Sequence, residues 1–405
     1  MRKVVLIMIS LLLLTGVAFT ACAKPAAPST PTPSTPAVPQ TIKLGLATAL
    51  SGPAAPWGVP LQQILQMQID DIKAAGGFDV GGQKYNWELI TYDHKYMPTE
   101  AVSAVKRLVE LDKVKYMAIL GAECTIPAQP IYEPAKVINW AYASAGKSMI
   151  NPSNPYTFQY APDAEVTGVI YGYLVKAKGI KTVAILQPDD PVGAAQLEFC
   201  HFAAQQAGLT IVAEKLADRN TSDFYPVLTP IVAQKPDLLD IAQFSPNGVA
   251  LLVKQARELG YKGAMFSTNA TLDTLVSIAG WDALENYYTI PYLAVETPEQ
   301  AAFHTEFVKN YGENAWMGST GFSAAAQLPA FMDAMKAAGT VDDTAAVMQK
   351  LATIELNTLW GPARFGGSKY YGIARILLLP TPIGLVTGGK MTQAAITSLP
   401  ADLLD

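Results

Sequence analysis

The stretch from Thr41 to Gly77 reads TIKLGLATALSGPAAPWGVPLQQILQMQIDDIKAAGG and introduces the pattern of the whole chain. Its first part, Ile42–Ala49, is a short apolar run typical of a buried strand. A loop containing Gly and Pro follows, and apolar residues then recur at helical spacing from Leu61 to Ile72, up to Gly76-Gly77. This order predicts a strand, a loop and an amphipathic helix, which together form the first half of a βαβ unit.

The same alternation of apolar strands and amphipathic helices continues along the chain and starts again after Pro162. Further strands are predicted at Trp87–Tyr92, Val114–Leu120, Val137–Ala143, Val183–Leu186, Ile211–Lys215, Leu238–Ala242 and Met265–Ser267. Ala374–Thr387 is predicted to form two strands joined by Pro380–Pro382. The alternation predicts an α/β fold with two Rossmann-like lobes built on parallel sheets. In such sheets a ligand lies beyond the carboxyl ends of the strands.

The amino terminus has the features of an export signal. Arg2 and Lys3 precede an apolar run, and small residues lead to Cys22. Because Phe19–Cys22 resembles a bacterial lipobox, residues 1–22 are predicted to be a signal peptide whose Cys22 is lipidated and anchors the chain to the membrane. A membrane-spanning helix is the alternative, but no positive flank follows the apolar run. Residues 23–40, rich in Pro, Ser and Thr, are predicted to form an extended tether.

Composition limits the possible functions of the remaining chain, which is long enough for two domains. Half of all residues are apolar and the formal net charge is −5, so the basic surface of a nucleic-acid-binding protein is not expected. Apart from Cys22, only Cys124 and Cys200 occur. They are too few for a disulfide framework and form no CxxC motif. No cofactor and no metal site is predicted.

Sequence patterns for catalysis are weak. The stretch Ala141–Ser148, AYASAGKS, fits a loose nucleotide-loop pattern after a strand. A working phosphate loop must lead directly into a helix, and Pro152 and Pro155 would break that helix. The three histidines lie far apart in sequence and belong to no catalytic motif. The sequence therefore does not predict an enzyme, and no residue is assigned a catalytic role.

Two residues beside predicted strand ends are candidates for ligand contact. Trp57 lies in the loop after the first strand, where its ring could stack on an apolar or flat ligand. Packing of Trp57 on its own lobe is the alternative. Asp190 follows a predicted strand and could approach a ligand, whereas other adjacent carboxylate pairs are interpreted as solvated helix faces or caps.

Several short motifs give the chain a resemblance to a known family. They are Leu50-Ser51-Gly52-Pro53 with Trp57-Gly58, Ile69–Ile72 with Ala75-Gly76-Gly77, Pro127 with Ile131-Tyr132-Glu133, Gln255–Gly260, and Gly361–Phe365. In this order and spacing they resemble the type I periplasmic binding proteins, specifically the leucine/isoleucine/valine-binding group. The similarity covers nearly all of the chain after the tether.

The resemblance implies a hinged clamshell whose two lobes exchange the chain through three crossings. The crossings are expected near Ala161, Pro291 and Trp360. Lobe 1 would then comprise residues 41–161 and 292–360, and lobe 2 residues 162–291 and 361–405. A carrier of this kind binds a small molecule by hinge closure, as an extracytoplasmic monomer, and delivers it to an ABC permease in the membrane.

The same resemblance implies the residues of the binding site. The first lobe would contribute Trp57, the loop Glu123-Cys124-Thr125, and Ser144, Ala145 and Gly146. The second lobe would contribute Val192, Phe244 and Asn269 as a lid, in addition to Asp190.

Departures from the family pattern bear on the ligand. Gly146 stands where amino-acid binders carry a hydroxyl, Val192 replaces a lid tyrosine, and Asn269 replaces the acid that pairs with the substrate ammonium. A buried ammonium without an anionic partner is heavily penalised, so Asn269 argues against an ordinary α-amino acid. Glu123 is an alternative anion, which keeps amino acids among the candidates beside organic or aromatic carboxylates and amides. Tyr96 replaces a cysteine of the relatives, so Cys124 is expected to be a free thiol.

Two alternative functions remain open at this stage. The same clamshell could present its bound ligand to a signalling receptor, a role that neighbouring genes would separate from transport. An exported hydrolase is the other alternative, but it needs a nucleophile and a base that the sequence does not supply.

Overall fold

The computed structural model describes residues 38–52, 54–161, 165–219, 221–268, 272–290 and 293–398. The predicted signal peptide, the lipidated Cys22 and nearly all of the predicted tether lie outside these residues, as do Asn269 and Pro291. The last residue of the predicted tether, Gln40, already belongs to the first strand.

The elements alternate as the sequence predicts. The strands are β1 (Gln40–Thr48), β2 (Phe78–Val80), β3 (Gln83–Asp93), β4 (Tyr116–Leu120), β5 (Ile138–Tyr142), β6 (Thr157–Gln159), β7 (Thr182–Pro188), β8 (Thr210–Ala217), β9 (Leu238–Asp240), β10 (Ala264–Ser267), β11 (Tyr287–Thr289), β12 (Leu356–Thr358), β13 (Gly361–Gly366), β14 (Ile376–Leu378), β15 (Pro380–Thr387) and β16 (Lys390–Ser398).

The α-helices are α1 (Ala55–Ala74), α2 (Pro98–Glu110), α3 (Ala122–Tyr132), α4 (Val166–Lys178), α5 (Pro191–Ala207), α6 (Tyr225–Ala233), α7 (Pro246–Glu258), α8 (Leu272–Ala279), α9 (Pro298–Tyr311), α10 (Ser319–Ala324), α11 (Gln327–Ala338), α12 (Thr344–Leu351) and α13 (Ser368–Tyr371). Short 3₁₀ helices cover Gly146–Ser148, Asp282–Leu284 and Glu313–Ala315. No helix within the described ranges is both long and apolar enough to span a bilayer.

Two separate sheets form the two lobes. The first has nine strands in the order β12-β13-β14-β6-β5-β4-β1-β3-β2, and the second has seven in the order β16-β15-β11-β10-β9-β7-β8. Both are parallel in the centre. The first sheet has antiparallel strands at both edges, and the second has them at one edge. The continuous burial of β4 and β5 is typical of strands covered on both faces. The predicted two-lobed α/β fold is confirmed.

The third crossing between the sheets differs from the sequence prediction. The sequence placed it near Trp360, but β13 and β14, which follow Trp360, still belong to the nine-stranded sheet. The chain enters the second sheet only at β15, so the crossing lies at Leu379. Trp360 instead lies in the turn between β12 and β13, and its indole N–H donates to Ser323 Oγ at 3.0 Å.

The sequence predicted that Pro380–Pro382 join two strands, but in the structure both prolines belong to a single strand. Pro380 begins β15 and Pro382 lies within it, opposite Ile396 of β16. Within the described residues, strand β11 pairs with β15 at Gly384–Val386 only. In that part of the chain, both prolines lie where β15 has one neighbouring strand, which is where a strand tolerates the missing N–H.

Separate apolar clusters stabilise the lobes. One cluster in the first lobe contains Trp87, Trp140 and Phe331, and one in the second lobe contains Phe244 and Val253. A further cluster lies at the junction, where Ala141 and Ile376 of the first sheet meet Val169, Phe199 and Phe266 of the second lobe. The lobes thus have their own cores and share apolar contacts at the junction.

Candidate functional site

A cavity of about 400 Å³ lies between the two lobes. Its walls are formed by Tyr96, Gly121, Ala122, Glu123, Ile126, Tyr142, Ala143, Ser144, Ala145, Gly146, Ser148, Val192, Ala195, Gln196, Phe199, Gln243, Tyr370 and Tyr371. The volume lies within the range of small-molecule sites. A larger, more open groove of about 980 Å³ runs beside it along the edge strand β8, and Tyr370 lines both.

The cavity lies at the carboxyl ends of parallel strands from both sheets. Gly121 and Ala143 directly follow β4 and β5 in the first lobe. In the second lobe, α5 follows β7, and Gln243 comes shortly after β9. This is where open α/β sheets bind their ligands, because the loops there can vary without disturbing the core.

The segment Glu123–Thr125 is helical, whereas the sequence predicted a loop. Helix α3 begins at Ala122, so only Glu123 of the three predicted residues lines the cavity. Cys124 is fully buried in the core of the first lobe. The Thr125 hydroxyl, also buried, donates to the Gly121 carbonyl at 2.8 Å. Cys124 and Thr125 therefore support the helix and do not face the cavity.

A glycine immediately before α3 allows Tyr96 to reach the cavity. Gly121 has a φ of +92°, and a Cβ at this position would lie 2.8 Å from the Tyr96 ring. Burial, together with the charge of the nearby Glu123 carboxylate, raises the pKa of Tyr96. Tyr96 is therefore a neutral phenol beside the carboxylate.

His94 fixes the backbone that carries Tyr96. The Tyr96 N–H donates to His94 Nδ1 at 2.9 Å, and His94 Nε2 lies 3.0 Å from the Leu120 carbonyl. Nδ1 must accept and Nε2 must donate, which defines a neutral tautomer. Burial lowers the pKa of His94, in keeping with this assignment.

Cys124 lies beside this histidine as a free thiol, which confirms the expectation from the sequence. Its Sγ is 4.0 Å from His94 Nδ1. Burial, with a smaller contribution from the Glu123 charge, raises the pKa of Cys124 to about 12. The thiol is thus protonated at neutral pH and has low reactivity.

The loop after β5 lines the cavity with Ser144, Ala145 and Gly146. Their predicted contact with a ligand stays a prediction. Only the one-turn 3₁₀ helix Gly146–Ser148 follows, and not the long helix that a nucleotide loop requires. A Cβ on Gly146 would lie 3.7 Å from the Ala195 Cβ, so this loop closely approaches helix α5 of the other lobe.

The second lobe contributes one side of α5. Val192 lines the cavity and is 50% exposed, and Ala195, Gln196 and Phe199 extend the same face. These four residues follow the i, i+3, i+4, i+7 spacing of a single helical stripe. Only Val192 was predicted from the sequence, although this spacing indicates the other three once α5 is assigned as the helix beside the cavity.

Asp190 has a structural position at the start of α5. Its carboxylate accepts from the Val192 and Gly193 N–H groups at 3.0 and 2.9 Å, which makes it the N-cap of the helix. The other carboxylate oxygen lies 2.7 Å from Arg219 Nε. The Arg219 hydrogen bond is the main cause of the lowered pKa of Asp190. Asp190 is not among the described residues that line the cavity, so its predicted contact with a ligand has no support from this geometry.

Phe244 and Trp57 also lie outside the cavity wall. Phe244 is fully buried against Phe224, with ring centroids 5.5 Å apart, and the neighbouring Gln243 lines the cavity in its place. Trp57 lies in the first turn of α1 and is 57% exposed, and its ring packs beside the ring of Tyr96 with the centroids 6.1 Å apart. Trp57 is thus at the rim, one residue away from the cavity.

A buried hydrogen-bond network supports the second-lobe wall. Gln196 donates to Thr167 Oγ1 at 2.7 Å and accepts from Gln243 at 3.1 Å. Beneath it, Asp240 is fully buried and accepts from Tyr171 at 2.8 Å and from Gln187 at 3.1 Å. Burial raises the pKa of Asp240 to about 6. The hydrogen bonds of Gln196 to Thr167 and to Gln243 hold the two cavity-lining glutamine side chains in place.

Tyr370 and Tyr371 of α13 were not anticipated. They come from the first-sheet segment between β13 and β14, yet Tyr370 packs on Phe199 and Phe202 of α5. The ring centroid of Tyr370 lies 5.0 Å from that of Phe199 and 4.8 Å from that of Phe202. These two tyrosines can line the cavity because the chain stays in the first sheet until the third crossing at Leu379. No local spacing in the sequence indicates the position of that crossing.

Comparison with known proteins agrees with this geometry. The periplasmic binding protein family model matches residues 41–372. The leucine-, isoleucine-, valine-, threonine- and alanine-binding protein of Pseudomonas aeruginosa is 23% identical over 66% of this chain and 71% of its own length.

Solved structures share the two-lobed fold. An ABC transporter substrate-binding protein from Sphaerobacter thermophilus is 19% identical, with a TM-score of 0.71 over 89% of this chain and 98% of its own. A solute-binding protein from Rhodopseudomonas palustris BisB5, solved with 3,4-dihydroxybenzoic acid, is 23% identical, with a TM-score of 0.64 over 89% of this chain and 98% of its own. The family match covers most of the chain and confirms the resemblance found in the sequence, so this chain belongs to the periplasmic binding protein family.

Proposed function

We propose that this chain is the extracytoplasmic substrate-binding component of an ABC-type uptake system. The observation that carries this proposal is the cavity of about 400 Å³ lined by both lobes at the carboxyl ends of their strands. The proposed ligand is amino-acid-like or an organic or aromatic acid or amide, and the names of similar proteins support an amino acid or an aromatic acid. The bound form would be delivered to a membrane permease.

Hinge closure is the proposed means of capture. Side-chain contacts between the two lobes support hinge closure, because they can form only when the lobes lie close together. Lys147 Nζ lies 2.6 Å from Glu198 Oε1, and Lys369 Nζ donates to Gln206 Oε1 at 2.6 Å. Both lysines belong to first-lobe segments and both partners to α5, so opening the cleft on this side would break these contacts.

Lipidation of Cys22 is the proposed anchor to the outer face of the cell membrane, with the Pro-rich segment as a spacer. Mass spectrometry of the membrane-extracted protein should detect a diacylated amino-terminal cysteine. The Cys22→Ala variant should lose the modification and leave the membrane fraction. Unmodified protein that still fractionates with the membrane would contradict this part of the proposal.

Ligand capture can be tested on the purified chain. Native mass spectrometry of freshly prepared protein should reveal a co-purified small molecule, and a thermal-shift panel of amino acids, amides and organic acids should contain stabilising members. A ligand present at a hundred times its dissociation constant should add about 2.7 kcal/mol to the free energy of unfolding. A broad panel without any stabilising solute would contradict the proposal.

A further inference from the structure

The described wall of the cavity contains an acidic side chain but no basic side chain. Among the described lining residues, Glu123 is the only one with a carboxylate side chain, and there is no Lys, Arg or His. The undescribed positions between residues 38 and 398 carry no basic side chain either. Residues 53, 162–164, 220, 269–271 and 291–292 are Pro, Pro-Asp-Ala, Asn, Asn-Ala-Thr and Pro-Tyr. Within residues 38–398, no basic side chain lines the cavity to compensate an anionic ligand.

Cations in the adjoining segments do not line the cavity. Lys95 and Lys369 are next to Tyr96 and Tyr370 in sequence, and Lys369 lines the neighbouring groove and donates to Gln206. Two others are paired with carboxylates. Lys147, next to Gly146, lies 2.6 Å from Glu198 and lines the neighbouring groove. Arg219 lies 2.7 Å from Asp190 and also donates to the Gln243 carbonyl. Each forms a nearly neutral pair, so neither contributes a net positive field to the cavity.

The backbone provides polar recognition without a net positive charge. The start of α3 carries roughly half a positive charge from the aligned peptide dipoles, and an acid in the first turn offsets it. Glu123 is that acid. In the described residues, the N–H groups of Ser144 and Ala145 donate to no backbone carbonyl, so they remain for a ligand oxygen. Such N–H groups can donate to an amide oxygen or to a carboxylate oxygen, and they bind the charged acceptor more strongly where no other negative charge lies nearby.

The second-lobe wall is also uncharged. Its described polar side chains are the amides of Gln196 and Gln243, which hydrogen-bond to each other at 3.1 Å. The rest of that wall is Val192, Ala195 and Phe199, faced by the rings of Tyr370 and Tyr371. An apolar or flat ligand body fits between these groups.

From this arrangement, we propose that the ligand carries no net negative charge. It would have an apolar or aromatic body that ends either in an uncharged carbonyl group, such as a carboxamide, or in a carboxylate balanced by its own ammonium group. A simple carboxylic acid is disfavoured because Glu123 repels its carboxylate and no side chain compensates it. The inference rests on the proposed function, since it concerns the ligand of that same cavity.

Matched ligands that differ only in charge provide the test. Isothermal titration calorimetry at neutral pH and low salt would compare 3-phenylpropanamide with 3-phenylpropanoate, and 4-methylpentanamide with 4-methylpentanoate. Phenylalanine and leucine are the zwitterionic members of the two sets. In the set that binds, the amide or the zwitterion should bind roughly three- to tenfold more tightly than the anion.

The Glu123→Gln variant should reduce this preference several-fold by strengthening binding of the anion. Glu88→Gln is the matched control, because it makes the same change in net charge at an exposed position outside the cavity wall and should leave the preference unchanged. Anions that bind the wild-type protein as tightly as their amides and zwitterions would overturn the inference and leave the proposed function intact. If no member of these sets and no solute of a broad panel binds, the proposed function fails and the inference fails with it.

Discussion

Lys147 and Glu198 form an ion pair that joins the two lobes across the junction. The Lys147 Nζ lies 2.6 Å from Glu198 Oε1 and 4.0 Å above the ring of Tyr370. Both side chains of the pair are about half exposed, so the ion pair is worth at most about 1 kcal/mol. Its position on α5 nevertheless links it to the helix that forms one wall of the cavity.

The first prediction concerns this pair. Lys147→Gln and Glu198→Gln should each weaken ligand binding by up to about fivefold, because they remove a contact made only when the lobes are close. The charge-reversed double variant, Lys147→Glu with Glu198→Lys, should recover most of the lost affinity. Calorimetry with an established ligand measures both effects.

Lys115 and Asp342 provide the control, because they form a similar 2.6 Å pair within the first lobe. Breaking that pair should leave ligand affinity unchanged. Equal losses of affinity from both pairs would show that the Lys147–Glu198 contact has no particular relation to closure.

The second prediction concerns Gly121. Gly121→Ala would place a Cβ 2.8 Å from the Tyr96 ring at a φ of +92°, so we expect a loss of about 2 kcal/mol in the free energy of unfolding and displacement of Tyr96. Urea denaturation measures the loss. The double variant Gly121→Ala with Tyr96→Ala should recover part of it, and no recovery would contradict the assigned clash.

The third prediction concerns the cap of α5. Asp190→Ala removes the acceptor for two helical N–H groups and leaves Arg219 without its carboxylate, so it should lower the free energy of unfolding by about 1–2 kcal/mol. The pKa of Asp190 is lowered in the folded state. Its stabilising contribution is therefore present above the unfolded pKa of about 3.9 and is lost as the pH falls through the folded pKa.

Denaturation of wild-type and Asp190→Ala protein at several pH values tests this prediction. The difference in stability between the two should shrink as the solution becomes more acidic. A constant difference down to strongly acidic pH would contradict the role of the ionised carboxylate.

The fourth prediction concerns Asp240 and has the opposite sign. Burial raises its pKa to about 6, so the folded state binds an extra proton at pH values between the unfolded pKa and 6. The contribution of Asp240 to stability should fall by on the order of 2–3 kcal/mol as the pH rises through this window. Asp240→Asn should remove this dependence, and equal pH profiles for the two proteins would contradict it.

The fifth prediction concerns the rim. Trp57→Ala should leave the melting temperature nearly unchanged because the side chain is 57% exposed. It should weaken ligand binding by about tenfold if the ring covers the bound ligand on closure. Leu111→Ala is the control, since Leu111 is 69% exposed and outside the cavity wall. An unchanged dissociation constant would assign Trp57 to packing against Tyr96.

The sequence was a good guide to the fold wherever a local pattern decides the structure. The βα alternation and the apolar strands β4 and β5 were anticipated because burial on both faces leaves a continuous apolar run. The last hairpin, β15 with β16, was missed, although Gly388 and Gly389 lie between the strands with φ of +58° and +73°. Two such glycines form the turn that suits a two-residue hairpin, so the signal was present.

The site was less predictable because it depends on side-chain direction and on distant segments. The loops at Glu123 and Ser144–Gly146 were identified, yet one turn of helix directs Cys124 and Thr125 into the core. Tyr370 reaches the cavity from a segment more than 150 residues away from α5 in sequence. No spacing within either segment encodes that contact.

Tyr370 is the boundary between the enclosed cavity and the open groove beside β8. Helix α5 faces both spaces, with Gln196 and Phe199 on one side and His201 and Phe202 on the other. Tyr370 is itself packed on Phe199, on Phe202 and under the Lys147 ammonium. The partition between the enclosed space and the open one is therefore built from side chains of both lobes, so its position depends on how the lobes are arranged.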